Sequence, residues 1–502
     1  MLVTYFKGQY LETNSKSVDQ LMEDLATIPI PKIDQQQKDL LECPVTDYEI
    51  EKAIHQLSPH KAPGPDGIPT LFYREFWSIA KQDILNSTHA FFHSGSLLKS
   101  LNQTFLTLIP KVQFPDDVSQ FRPISLCNVV YKIISKIMVE RLKPLMDKLI
   151  TPYQNAFIRG RNITDNILLA HEIFDTLRKK KGRKKGYGAL KIDTSKAYDR
   201  VNWNFLKAVL LSMNFGTTWI NWIMECVTTV QYTLLVNGSP IQPFHPSRGL
   251  RQGDPLSPYL FLFCANILSV ALIDAENHKK IKGVKIGRNG VSFTHIFFAD
   301  DSFFFFQNDN TSLPALKTIL LWYCSLSGQT INHSKSELFC SPNIDTSIQE
   351  SLASYLQVNL VKEPSMYLGI NFNLRGKNIA DFQDLIDRVQ KKLQGWKAKL
   401  LSQAGRCTLI SSVLQSMPLY SFSCFKIPEA MCNKLDAITR AFWWGHNPGE
   451  RKLHLINWDT ICQPKARGGH YRKMGFRPRL KNAAIDPKNA AISYSCVYKP
   501  QQ

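Results

Sequence analysis

The chain has 502 residues, 44% hydrophobic and 20% charged. That composition excludes a disordered polymer and leaves room for two to four domains or one multi-lobed enzyme. Sixty-one Lys and Arg against 41 Asp and Glu give a net charge of +20, so a polyanion is the expected partner, nucleic acid before an acidic membrane surface.

In chain order, residues 1–59 read as helical. Thr46 followed by Glu49 has the spacing of a capping box opening a helix over 46–57. A Pro/Gly-rich loop, HKAPGPDGIP (60–69), follows. Helical patterns then cover 71–90, 129–149 and 160–178, with a short extended piece at 105–109. The basic run RKKKGRKK (178–185) reads as a solvated loop, with a nuclear-import patch or a backbone-contacting loop as the sharper options. From 187 to about 372 short strands and helices alternate irregularly, the mark of an α+β domain. Within it, 259–273 is the longest apolar run. It falls short of the ~18–20 residues of a membrane span and reads as a buried helix. Residues 379–444 return to a helical pattern. The last 52 residues, 451–502, carry 11 Lys and Arg against 2 Asp, and read as a basic, loosely folded tail. The start, MLVTYFKGQYLET, lacks the layout of a signal peptide. Eleven scattered cysteines with no CxxC pair point to free thiols, not to a zinc or disulfide framework. The expectation is a protein of the nucleus or cytoplasm, not secreted and not in a membrane.

Chemistry concentrates at carboxylates. In IFFADDSFFFF (296–306) Asp300 and Asp301 sit between two apolar runs, the layout of a β-hairpin with the acids at its bend. Two like charges beside a dry core call for cations, and hard oxygen donors suit magnesium. Upstream, alternation in ALKID sets Leu190 and Ile192 on one face and Lys191 and Asp193 on the other. Asp193 then shares a cleft with the hairpin. One Asp from a strand and two from a hairpin make a cluster able to hold two Mg²⁺, or Mn²⁺ in their place, for in-line phosphoryl transfer. Asp199 reads as a helix cap ahead of a metal ligand. Asp254–Pro255, after RGLRQG, reads as a helix start.

Ten blocks in order now carry a resemblance: HKAPGPDGIP (60–69), LIPK (108–111), FRPISLCNVVYKIISK (121–136), YQNAFIRGR (153–161), KIDTSKAYDRV (191–201), RGLRQGDPLSPYLF (248–261), FFADD (297–301), GQTINHSKSE (328–337), MYLGI (366–370) and LSQAGRCTLI (401–410). The chain resembles the reverse transcriptase region of a plant LINE-type (non-LTR) retrotransposon polyprotein. The resemblance implies an α+β right-hand polymerase with a ferredoxin-like palm. Its domains would be a helical extension or linker over 1–59, fingers and palm over 60–372, a helical thumb over 373–460 and a divergent basic tail over 461–502. It implies RNA template, DNA primer and dNTPs as partners.

By position, the resemblance makes Asp193, Asp300 and Asp301 the catalytic, metal-binding triad. Tyr198 falls at the sugar gate, where a ring leaves no space for a ribose 2′-hydroxyl. Arg122 would reach the triphosphate, its fork suiting phosphate. Gln252 would hydrogen-bond nucleotide or template, and Gly253 would let the backbone approach a base or sugar. Lys335 would protonate departing pyrophosphate, against the plainer reading of a solvated lysine. Lys111 would touch template backbone, and Tyr367, Leu368 and Gly369 would form the primer grip. After CQPKARGG (462–469) the family pattern is lost, and neither an endonuclease nor an RNase H segment is visible, so the expectation is a truncated reading frame. Three alternatives stay open: an inactive relic that only binds nucleic acid, a protein like the maturases of group II introns, and an RNA-templated RNA polymerase.

Overall fold

A computed structural model describes residues 2–462 apart from 14, 183–184, 288–289, 364–365, 373–378, 397–399, 426 and 446–452. All but the first two residues of the basic tail expected at 461–502, and part of the basic run at 178–185, fall outside the described residues. Two units are distinct: residues 1–162 with 175–361, and residues 163–174 with 362–502. Strands are numbered β1 to β13 along the chain.

The first unit is built on two sheets. β3 (Tyr187–Ile192) pairs antiparallel with β9 (Asp301–Gln307) on one side and with β10 (Glu337–Cys340) on the other. β8 (His295–Phe298) and β11 (Asn359–Val361) complete the order β11-β10-β3-β9-β8. The phenylalanines explain the sheet: Phe303, Phe304, Phe305 and Phe306 are all buried. Both faces of β9 are therefore covered, and a near-continuous apolar run replaces alternation.

The second sheet orders β2 (Phe121–Cys127), β1 (Gln103–Pro110), β4 (Gln231–Val236) and β5 (Ser239–Pro240). Its β1–β2 pairing brings Ile109 level with Arg122. A small ribbon joins β6 (Val284–Lys285) to β7 (Ser292–Phe293).

The apolar run read at 259–273 is the middle of a 21-residue helix, Ser257–Asn277. By length and composition it is the one described helix able to cross a bilayer, yet most of it is buried inside the protein. It packs against the helices Trp203–Ser212 and Ser312–Ser327. Its start corrects the sequence reading. The helix opens at Ser257 with Pro258 in its first turn, not at Asp254–Pro255. Asp254 is buried instead, accepting from the Tyr131 hydroxyl at 3.1 Å and the Ser257 hydroxyl at 3.0 Å. The capping box at Thr46 and Glu49 is present on the helix Asp47–Gln56. The ten described cysteines are free thiols.

In the second unit β12 (Met366–Tyr367) and β13 (Ile370–Asn371) form a hairpin. Its turn residues Leu368 and Gly369 both have positive φ, 47° and 76°, as a type I′ turn requires. A helical cluster around Phe382, Ile386, Leu414, Met431 and Leu435 follows.

The loop between β5 and the long helix is fixed by a buried cation. Arg251 donates to Asn102 Oδ1 and to the Cys226 carbonyl, each at 2.6 Å, and lies 3.8 Å from the Tyr131 ring centroid. Removing it takes the Arg251 donor from the buried Asn102 Oδ1 and one of two donors from the Cys226 carbonyl, which keeps Asn102 Nδ2 at 3.2 Å. Arg251→Met should cost about 3 kcal/mol of stability, read as a lower urea midpoint at unchanged m-value.

Candidate active site

The β3–β9 register decides which acids meet. Ile192 pairs with Ser302, so the next step along the ladder brings Asp193 level with Asp301 on one face. The hairpin bend is Ala299–Asp300, since Phe298 pairs with Asp301. Ala299 takes φ of 54° there, a left-handed conformation unusual for a residue with a Cβ.

A buried amide holds that bend. Gln154 Oε1 accepts from the Ala299 N–H at 2.9 Å, and its Nε2 donates to the Ala299 carbonyl at 3.3 Å. The flanking backbone of Tyr153 and Asn155 bonds to both sides of Phe297. Gln154 was not singled out from the sequence. Its position in YQNAFIRGR marks it, but nothing local says that its partner lies 145 residues away.

Asp193 is held from the other direction. Its N–H donates to Ser336 Oγ at 3.2 Å, and Asn332 Nδ2 donates to its Oδ2 at 3.2 Å. The INHSKSE segment thus supplies two hydrogen-bond partners as well as Lys335.

These elements wall a cavity of about 1050 Å³. Asp193, Asp300, Tyr198, Arg122, Lys111, Gln252, Gly253 and Lys335, all singled out from the sequence, line it. Asp301 does not; as the first residue of β9 it is half-buried beside the lip. Tyr367, Leu368 and Gly369 belong to the second unit. Tyr367 is buried there with its hydroxyl accepting from Asn166 Nδ2 at 3.1 Å, so it presents no free ring. Tyr420 donates to the Leu368 carbonyl at 2.8 Å.

Electrostatics follow from the walls. Seven basic side chains face three carboxylates in the cavity, the balance expected for a polyphosphate guest. Burial, then the charges of Lys196, Arg122 and Lys335, holds Lys111 below the usual lysine range. Burial and the neighbouring Asp193 push Asp300 up. Burial, then Asp300 and Asp193 against the opposing Lys191, pushes Asp301 up to about 6. Repulsion among the acids is what a divalent cation relieves.

Whether the residues fit metal is answered in part. Among the described residues no group of three or more carboxylate, His or Cys side chains converges on a metal-sized point. The three aspartates expected from the sequence lie close enough that the charge of Asp193 acts on Asp300 and on Asp301, and that of Asp300 on Asp301. Two of them, Asp193 and Asp300, share the cavity wall. The donor chemistry fits an oxygen-loving cation that keeps water and phosphate ligands, as magnesium does.

Tyr198 stacks on Phe261, centroids 4.8 Å apart and planes 11° from parallel. Packing thus fixes the ring against the cavity wall. Asp199, read as a helix cap, is corrected. Asn202 caps the helix Trp203–Ser212 through the Phe205 N–H, while Asp199 is buried. It accepts from Gln9 Nε2 at 2.6 Å, Tyr10 Oη at 2.9 Å and Gln252 Nε2 at 3.0 Å. The two glycines of RGLRQG serve neighbouring backbone. A Cβ on Gly249 would lie 2.6 Å from the Asp199 carbonyl oxygen, and one on Gly253 2.9 Å from that of Ser125. Both have positive φ.

Residues 109–372 match the family model described as reverse transcriptase (RNA-dependent DNA polymerase). The chain is 26% identical over 418 residues to the transposon TX1 uncharacterized 149 kDa protein of Xenopus laevis, covering 83% of this chain and 31% of that one. It is 26% identical over 296 residues to a retrovirus-related Pol polyprotein from the type-1 retrotransposable element R2 of Popillia japonica, covering 58% and 39%. A putative ribonuclease H protein of Arabidopsis thaliana is 42% identical over 88 residues, covering 18% and 14%. The chain thus spans well under half the length of each.

Gln154→Ala should free both backbone groups of Ala299 and cost about 2 kcal/mol. Hydrogen exchange is the check, with faster exchange expected at the Ala299 amide while β3 amides keep their protection.

Proposed function

The chain belongs to the reverse transcriptase family, and from that premise we propose that it is an RNA-directed DNA polymerase of a non-LTR retrotransposon. It would add dNTPs to a primer 3′-hydroxyl opposite an RNA template. One observation carries the reading: a single cavity gathers Asp193 and Asp300, a cationic wall and a packed tyrosine ring. The likeness to transposon and retrotransposable-element proteins supports the retrotransposon assignment, and the likeness to the Arabidopsis protein supports a plant source.

Each residue then has work to do. Arg122 and Lys111 bind the triphosphate or template backbone, Arg122 through its fork and Lys111 as a point charge. Tyr198, braced by Phe261, closes the space a ribose 2′-hydroxyl would need. Gln252 hydrogen-bonds the nucleotide or template. Lys335, exposed at the cavity edge, donates a proton to the leaving pyrophosphate. Asp193 and Asp300, supported by Asp301, would hold two Mg²⁺ or Mn²⁺, which supply stabilisation of the charge that develops in phosphoryl transfer. The β12–β13 hairpin would meet the primer through the backbone of Leu368 and Gly369, since the Tyr367 ring faces inward.

Primer extension on poly(rA)/oligo(dT) with dTTP and Mg²⁺ tests this. Wild type should extend the primer, and Asp300→Asn should lose at least about a hundredfold in kcat while keeping duplex affinity. A folded wild type that binds the duplex and never extends it would reduce the reading to nucleic-acid binding alone. Tyr198→Val should raise ribonucleotide incorporation relative to deoxyribonucleotide by about tenfold or more, measured with paired rUTP and dTTP.

A further inference from the structure

We propose that the segment 2–12 is a working part of the nucleotide pocket, in which Gln9 and Tyr10 are positioning residues that act through Asp199 and Lys196 to set Gln252 for the incoming dNTP. The inference rests on the reading that the cavity takes a dNTP.

The helix Leu2–Gln9 has two faces with different duties. One is packing. Phe6, together with Tyr10 just past the helix end, is buried in a cluster with Leu106, Val230, Tyr232, Leu234 and Phe244, under the sheet that carries β1 and β4. The other face reaches the cavity, whose wall includes Tyr5, Gly8 and Gln9. This segment lies outside the region matched by the family model, which begins at residue 109.

The hydrogen bonds of that face converge on two groups. Both oxygens of the Asp199 carboxylate are taken. Oδ2 accepts from Gln9 Nε2, and Oδ1 accepts from Tyr10 Oη and from Gln252 Nε2. A buried carboxylate needs such donors: burial pushes its carboxyl up, the bonds from Tyr10 and Gln252 and the charges of Lys196 and Lys111 pull it back, and the balance lies at about 6. Asp199 takes one amide hydrogen of Gln252, which fixes the orientation of that amide.

Lys196 is the second group. It stands in the left-handed region with φ of 55°, and its Nζ donates to Tyr5 Oη at 2.7 Å and to Gln9 Oε1. Gln9 therefore bridges a cation and an anion of the cavity wall with its two amide ends. A glutamine suits both bonds, whereas an acid or a hydrocarbon loses one or both.

Backbone bonds hold the segment in register with the RGLRQGD loop. Arg248 Nε donates to the Gln9 carbonyl at 3.0 Å, and the Ser247 N–H to the Tyr10 carbonyl at 2.9 Å. Glu12 completes the join, its N–H donating to Ser247 Oγ at 2.7 Å. The loop that carries Gln252 is thus stitched to a segment about 240 residues earlier.

The test uses the full chain with Gln9→Leu, Tyr10→Phe and, as a packing control, Val3→Ala. Val3 packs on the same apolar cluster and does not line the cavity. Thermal unfolding first establishes that each variant folds. Steady-state extension on poly(rA)/oligo(dT) should show KM for dTTP raised about tenfold in Gln9→Leu and severalfold in Tyr10→Phe, with kcat changed by less than about threefold. Val3→Ala should lower Tm and leave KM as in wild type. Folded Gln9→Leu and Tyr10→Phe with wild-type KM would overturn the inference, as would an equal KM rise in Val3→Ala. In parallel, dTTP is titrated onto each protein bound to a chain-terminated primer on the same template. If wild type binds dTTP there without extending a normal primer, the polymerase reading falls. The inference then stands or falls on whether Kd rises in the two variants and not in the control. A wild type that binds no dTTP overturns both.

Discussion

The pairing of β3 with β9 is the constraint on which the cavity depends. Side chains alternate along a strand, so a slip of one residue would send Lys191 and Asp193 to the opposite face and bring Ile192 into the cleft. Three devices oppose such a slip. The phenylalanines of β9 are buried on both faces, Gln154 grips the hairpin bend at Ala299, and Ser336 with Asn332 grips Asp193. They determine where the carboxylates stand, and the lysines and arginines of the second sheet and the loops only surround what the pairing has already placed.

Most of what the sequence disclosed was local in origin. The hairpin at 296–306, the strand ending at Ile192, the capping box at Thr46 and the long apolar helix each follow from the residues that compose them. The misreadings have a common cause. Asp199 resembles a cap because it precedes a helix, but Asn202 has the cap geometry and Asp199 has partners about 190 residues away. Asp254 and Pro255 resemble a helix start, but Tyr131 draws the acid into the core. Pattern rules weigh neighbours in sequence, and each of these residues is governed by a neighbour in space. The roles of Gln9, Tyr10 and Gln154 were out of reach for the same reason.

Opposing charges share the cavity without cancelling. Asp199 has its own set of donors, and its charge acts on Lys196 within the same wall. Lys111, Arg122 and Lys335 raise the potential around the open face. Such a surface is costly to leave bare, because like charges repel across a low-dielectric rim. A bound polyanion would remove that cost, drawing on repulsion already present in the fold.

The helix Ser257–Asn277 carries a consequence for biosynthesis. It is apolar on nearly every face, and the helix Ser312–Ser327 and strands β8 and β9 that share its core come later in the chain. During translation this segment leaves the ribosome with the part of its hydrophobic surface that Ser312–Ser327 covers still bare until some fifty further residues have followed. Over that interval it has the length and hydropathy of a membrane anchor. The hairpin bearing Asp300 is part of what finally covers this helix.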